Sequence, residues 1–265
     1  MQIPFTKYQG TGNDFVLIDQ RENKYLDYED VELIKKLCDR KFGVGADGLI
    51  ILAPHADQDY EMVYFNADGR TSSMCGNGGR CITAFANHLG MFQRESNFLA
   101  IDGLHTAKLN TDGTVSLKMN DVKKYRLDED AYILDTGSPH YIIFVEDIDD
   151  IDVKSQGEAI RYNEEFKKEG INVNFVEIKD DSLIVATYER GVEDETLSCG
   201  TGVTAAALAY FLKGKKVMGH HTIAVETKGG SLKVDFQANS ENEFEDIWLN
   251  GRADKVFSGV FFNPE

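Results

Sequence analysis

Cysteine is scarce in this chain, positive charge is outnumbered, and long apolar runs are missing. Four cysteines occur in 265 residues, Cys38, Cys75, Cys81 and Cys199. The opening Met1-Gln-Ile-Pro-Phe lacks a basic stretch followed by an apolar one, so no signal peptide is expected. Without one, four cysteines do not suggest a disulfide framework. No Cys-x-x-Cys is present, and the six histidines do not fall at zinc-ligand spacing with the cysteines, so no metal site is expected. No apolar run approaches the ~20 residues that span a bilayer. Against 45 Asp and Glu stand only 28 Lys and Arg, a formal charge of −17. Such a surface repels nucleic acid and anionic membranes, but a zwitterionic small molecule is indifferent to it. What is present is ordinary for a globular protein, 42% hydrophobic and 28% charged, enough for one large domain or two medium ones.

The chain repeats itself. Around one cysteine it reads Met74-Cys-Gly-Asn-Gly-Gly-Arg-Cys-Ile-Thr-Ala-Phe-Ala-Asn-His-Leu-Gly90, and around another Ser198-Cys-Gly-Thr-Gly-Val-Thr-Ala-Ala-Ala-Leu-Ala-Tyr-Phe-Leu-Lys-Gly214. Cys75 pairs with Cys199, Gly76 with Gly200, Gly78 with Gly202 and Gly90 with Gly214, each at an offset of 124. Upstream, Thr11-Gly-Asn-Asp-Phe-Val-Leu-Ile18 resembles Thr136-Gly-Ser-Pro-His-Tyr-Ile-Ile143 at an offset of 125. Recurring turn glycines alone do not produce two such blocks in the same order, so a duplicated domain is expected. The halves are placed at 1–119 plus 254–265, and 120–253.

Local patterns fit many short strands with a few helices, an α+β arrangement. Strands are expected at 14–19, 47–53, 60–65, 98–101, 114–119, 140–146, 172–178, 182–189, 222–227, 231–236, 244–249 and 256–262. Helices are expected at about 28–40, 78–89, 155–168 and 202–213, with Gly90 and Gly214 at the stopping position. Cys38 and Cys81 fall on helices, where core packing explains them, and Trp248 reads as a core strand residue. The acidic run Glu146–Asp152 lacks the spacing and the central glycine of a calcium loop and reads as solvated. Gly43-Val-Gly-Ala-Asp-Gly48 lacks the Gly-Lys-Ser/Thr of a phosphate loop.

Cys75 and Cys199 are different. Each precedes Gly-x-Gly and a helix. A helix N-terminus offers free N–H groups and the positive end of its dipole, which ease thiol ionisation and can hold a carboxylate. Two such junctions suit inversion of a carbon stereocentre, in which one group removes a proton from one face and a second returns one to the other.

The motifs Gly10-Thr-Gly-Asn-Asp-Phe15, Phe65-Asn-Ala-Asp-Gly69, Met74–Cys81, Asn172-Val-Asn-Phe175, Tyr188-Glu-Arg-Gly191 and Ser198–Gly202 resemble those of the diaminopimelate epimerase family across nearly the whole chain. The resemblance implies two pseudo-symmetric domains, each a barrel-like sheet around a central helix. It implies an isomerase that interconverts LL- and meso-diaminopimelate, in lysine and peptidoglycan precursor synthesis, without pyridoxal phosphate or another cofactor. It makes Cys75 and Cys199 the acid–base pair, His140 the partner of Cys75 and Glu189 the partner of Cys199. It gives Asn13, Asn66, Asn172 and Arg190 the distal end of the substrate, and Gly76-Asn77 and Gly200-Thr201 the reacting carboxylate. It further implies a cytoplasmic homodimer. Two positions depart from the family pattern, Ser138 where Asn is frequent and Gly48 where some members carry Gln, and both touch distal recognition. The alternative is a racemase of the same fold for proline, hydroxyproline or histidine. The proline-type pattern puts His in the first cysteine motif, where this chain has Asn77. A binding module without turnover and a thiol redox protein are weaker readings, given two intact cysteines in separate halves.

Overall fold

The computed structural model describes residues 2–72, 74–180, 182–214, 217–240 and 242–263. In chain order the elements are β1 (Gln2–Gly10), β2 (Asn13–Asp19), α1 (Val31–Cys38), β3 (Gly48–Ala53), β4 (Tyr60–Asn66), α2 (Gly76–His88), β5 (Glu95–Ala100), β6 (Gly103–Leu109), β7 (Val115–Lys118) and β8 (Tyr125–Asp128). There follow β9 (Ala131–Asp135), β10 (Pro139–Val145), a short 3-10 turn (Ile148–Asp150), α3 (Val153–Arg161), β11 (Asn172–Lys179), β12 (Ser182–Glu189), β13 (Asp194–Thr196), α4 (Gly200–Gly214), β14 (Gly219–Thr227), β15 (Gly230–Ser240), β16 (Glu243–Gly251) and β17 (Asp254–Phe262). Contacts divide the chain into two compact units, Met1–Leu117 with Gly251–Glu265, and Lys118–Asn250. Among the described residues no helix is long and apolar enough to cross a membrane.

In the first unit β1 pairs antiparallel with both β17 and β2, β2 with β3 in parallel, β3 with β4 antiparallel, β4 with β5 in parallel, and β5 with β6 antiparallel. Both faces of β3 are buried, as its run Gly48-Leu-Ile-Ile-Leu-Ala53 demands. Alternate residues Leu49 and Ile51 join Val16, Ile18, Leu33, Ile34 and Leu37 in a core beneath α1. The opposite face meets α2, which packs against β1, β2, β3, β4, β6 and β17. α1 starts where Asp30 accepts a hydrogen bond from the Leu33 N–H, and stops before Asp39, whose backbone is extended. It is therefore shorter than the span 28–40.

The second unit repeats this plan. β9 pairs antiparallel with β10, β10 with β11 in parallel, β11 with β12 antiparallel, β12 with β14 in parallel, and β14 with β15 antiparallel. α3 takes the place of α1, and its Val153 joins Phe166, Ile171, Val173, Phe175, Ala186 and Tyr188 in a core. α4 takes the place of α2 and packs against β9, β10, β11, β12, β14 and β15. Its Val203, Ala205, Ala206, Ala207, Leu208, Ala209 and Phe211 are all buried, as befits a helix surrounded by strands. Both units are thus strand layers around one central helix.

Three local expectations need correction. α3 ends at Arg161 rather than 168, because the Asn163 side chain accepts from the N–H groups of Glu165 and Phe166 and closes a separate turn. Gly90 stops α2 in a left-handed conformation (φ +75), but Gly214 is still the last residue of α4. Trp248 is half-buried, not in the core; its Nε1 donates to Asp246 and the Lys118 ammonium lies over its ring. In the acidic run, Asp147 and Asp152 cap the 3-10 turn and α3.

Candidate active site

All four cysteines are free thiols. Cys38 and Cys81 are buried, and burial pushes the Cys38 thiol up to about 12 and the Cys81 thiol further, so neither ionises at neutral pH. Cys75 and Cys199 occupy matching places. The Cys75 carbonyl accepts from the Gly79 N–H at 2.7 Å and opens α2; the Cys199 carbonyl accepts from the Val203 N–H at 2.9 Å and opens α4. The N–H groups of Gly76 and Asn77, and of Gly200 and Thr201, therefore stand in first turns, where a helix has no internal acceptor for them. A carboxylate is the natural ligand for such groups.

In the first unit Cys75 and Asn77 share one neighbour. Cys75 Sγ donates to Asn13 Oδ1 at 3.5 Å, and Asn77 Nδ2 donates to the same oxygen at 3.5 Å. The amide of Asn13 faces this way because its Nδ2 donates to Asp47 Oδ2 at 2.8 Å. Asp47 is itself held by Arg40, which also forks onto Asp14, and Asp14 is paired with the buried Lys7 at 2.7 Å. On the other side Arg80 is fully buried, and its Nη2 donates to Asn77 Oδ1 at 2.9 Å and Thr11 Oγ1 at 3.1 Å. Among the described residues no carboxylate pairs with Arg80, and its Nε has no partner. Asn66 ends β4 beside Gly48, in register with it, at the same end of the sheet as Asn13. Gly48 has no room for a side chain. A Cβ there would lie 2.5 Å from Tyr64 Cε2 and 2.7 Å from the Phe65 carbonyl oxygen.

In the second unit His140 lies on β10, fully buried. Its Nε2 is 2.8 Å from Thr201 Oγ1, which is 3.4 Å from Cys199 Sγ. Its Nδ1 is 3.0 Å from Asn174 Nδ2. Burial, with the charge of Arg190 adding to it, pushes the His140 pKa down to about 3, so the ring is neutral. Glu189 ends β12 and accepts from Thr196 Oγ1 at 3.0 Å. Asn172 is committed inside the unit. Its Oδ1 accepts from the Arg190 N–H, and its Nδ2 donates to Ser138 Oγ and the Pro139 carbonyl. Ser138 Oγ also accepts from Arg190 Nη2 at 3.4 Å, so the departure at Ser138 supplies the joint between Asn172 and the guanidinium. Among the described residues no group of three or more His, Cys, Asp and Glu could hold a metal ion.

The diaminopimelate epimerase family model matches residues 5–125 and 132–256. A diaminopimelate epimerase of Flavobacterium psychrophilum is 47% identical over 253 residues, covering 95% of this chain and 97% of the relative. One from Aquifex aeolicus is 38% identical, covering 97% of each. The chain belongs to the diaminopimelate epimerase family. Solved structures share its fold at low identity. A phenazine biosynthesis protein of the PhzF family from Bacillus anthracis aligns with a TM-score of 0.76 at 14% identity, over 99% of this chain and 100% of that one. A hydroxyproline epimerase from Agrobacterium vitis aligns with a TM-score of 0.71 at 15% identity, over 98% and 92%.

For a diaminopimelate epimerase family chain, the side chains that orient the site are as informative as those that line it. Sequence motifs point to Ser138 but give no such role to Asp47, Arg80, Asn174 or Thr187. A signal existed for two of them: Asn174 and Thr187 are polar residues inside buried strand runs, and buried polar groups need a partner.

Proposed function

We propose that this protein is an epimerase that interconverts LL- and meso-diaminopimelate by proton transfer at Cα, with Cys75 and Cys199 as the acid–base pair. The observation that carries this reading is the repeated half-site: in a chain of this family, each unit opens its central helix with Cys-Gly-x-Gly. One cysteine, as thiolate, takes the Cα proton while the other, as thiol, gives one back; in the reverse direction the roles exchange. No cofactor is needed for this exchange of protons. The first-turn N–H groups of Gly76-Asn77 and Gly200-Thr201 take the reacting carboxylate and stabilise the charge that develops as the proton leaves. Asn13, Asn66 and Arg190, the last held by Asn172 and Ser138, recognise the distal amino and carboxylate groups. Glu189 and His140 tune the cysteines; the resemblance gives Glu189 to Cys199 and His140 to Cys75, while within its own unit the His140 ring reaches the Thr201 hydroxyl beside Cys199. The enzyme acts as a cytoplasmic homodimer in lysine and peptidoglycan precursor synthesis, which light scattering of the purified chain tests as regards assembly.

Incubation in D₂O without cofactor, separately with LL-diaminopimelate, proline and histidine, checks the reaction. Deuterium at Cα with inversion is expected on diaminopimelate alone. Exchange only on proline or histidine would move the chain to another racemase of this fold, and no exchange at all would make it a binding protein. Cys75→Ala and Cys199→Ala should each lower inversion by at least ~10²-fold; full activity in either would sink the two-cysteine scheme.

A further inference from the structure

The hydrogen bonds behind Cys199 have a direction. Thr187 Oγ1 donates to Asn174 Oδ1 at 2.9 Å, which turns the amide so that Nδ2 faces His140 Nδ1 at 3.0 Å. Nδ1 must then accept, and the ring proton of the neutral imidazole sits on Nε2. Nε2–H donates to Thr201 Oγ1 at 2.8 Å. That oxygen has two partners among the described residues, His140 and Cys199, so its single proton is directed at Cys199 Sγ, 3.4 Å away. The cradle is tight: a Cβ on Gly202 would lie 2.3 Å from Asn174 Oδ1 and 3.3 Å from His140 Cε1. Cys75 sees the opposite polarity. Asp47 turns the Asn13 carbonyl oxygen towards it, so Cys75 is the donor. The register of the first unit places Phe15 and Ile50, which cannot hydrogen-bond through their side chains, where the second has His140 and Asn174.

We infer that Asn174 is a positioning residue: it fixes His140 as the Nε2–H tautomer and, through Thr201, aims a hydrogen bond at Cys199, which makes Cys199 the cysteine ionised in the resting enzyme. This rests on the two-cysteine reading above. A donor aimed at sulfur favours thiolate, and an acceptor aimed at sulfur favours thiol. Among the described residues, the other titratable or charged groups on the strands around this end of α4 are Asp135 at the end of β9, Glu189 and Arg190 at the end of β12, and Asp194 and Glu195 of β13 with their partners Lys154 and Lys228. At this end β11 contributes the amides Asn172 and Asn174.

The test reads each cysteine separately, by the pH dependence of its alkylation with iodoacetamide in the substrate-free enzyme, mapped by mass spectrometry. In the unchanged enzyme the Cys199 midpoint should lie below that of Cys75 and below the ordinary thiol value of ~8.5. Thr201→Val cuts the chain while keeping its shape and backbone. It should raise the Cys199 midpoint by about one pH unit and lower kcat roughly tenfold with KM little changed. Nitrogen-15 spectra of labelled histidine should show His140 protonated on Nε2, and Asn174→Leu should erase that preference. A Cys75 midpoint below that of Cys199, an unmoved Cys199 midpoint in Thr201→Val, or a proton on Nδ1 would each overturn the inference. The alkylation midpoints and the nitrogen-15 spectra need no substrate, so they remain decisive if exchange on diaminopimelate fails.

Discussion

His140 shows how one side chain can be structurally costly and chemically useful at once. It is fully buried and neutral, with its ring nitrogens held by Thr201 and Asn174. Its folded pKa of about 3 lies below the ~6.5 of an exposed imidazole, so between those values the unfolded chain binds a proton that the folded one does not. Stability contributed by this group is therefore complete above about pH 6.5 and is lost as pH falls towards 3. Urea unfolding at pH 7, 6, 5 and 4.5 should show the midpoint falling, and His140→Gln should flatten that fall. An equal slope in the variant would assign the acid sensitivity elsewhere. Asp14 acts lower. Its burial would raise the pKa, but hydrogen bonds from Arg40 and Lys7 outweigh this and hold the carboxyl well below the usual range. The two cysteines were legible from sequence because the chain writes their setting twice. Their controllers were not. Asp47 sits in a loop, and Arg80 sits in a helix where an arginine is expected to reach solvent; only the folded contacts reveal that one turns Asn13 and the other clamps Asn77.

At the scale of elements, apolar runs and capping residues carried the most information. β3, β11 and β12 were readable because they are buried strand runs. β1 and β6 escape the strand pattern because polar and charged residues interrupt their alternation, and β13 escapes it because it has only three residues. The helical pattern runs past the end of α3 because Asn163 breaks the helix with its own side chain. That helix also contains Gly157, which propensity alone would replace with alanine. The packing forbids it. A Cβ at Gly157 would stand 2.4 Å from Tyr188 Cβ on β12, and a side chain's first carbon has no rotamer by which to move away. Tyr188 also donates to Glu193 Oε2 at 3.0 Å, so its ring cannot shift freely. Gly157→Ala should therefore destabilise by about 1–3 kcal/mol, measured by urea unfolding, despite the better helix former. A stabilised variant would show that α3 can slide on its sheet.

The whole molecule is two copies of one plan, and the plan accounts for the place of β17. The same series of pairings, antiparallel, parallel, antiparallel, parallel, antiparallel, runs from β1 to β6 and from β9 to β15. In the second unit β9, the counterpart of β1, has β8 on its far side, supplied by the preceding stretch of chain. β1 begins at Gln2, and its far side is taken by β17, with Gln2 opposite Phe262 and Gln9 opposite Asp254. The last strand thus covers an edge that would otherwise expose unpaired backbone groups. A chain shortened to end at Ala253 should lose amide hydrogen-exchange protection throughout β1, while β11 and β12, with their own sheet around α4, keep theirs. Should β1 exchange as slowly in the shortened chain as in the full one, β17 would be a dispensable ornament on the first unit. Equal loss in β11 and β12 would mean that the two copies fold as a single cooperative body.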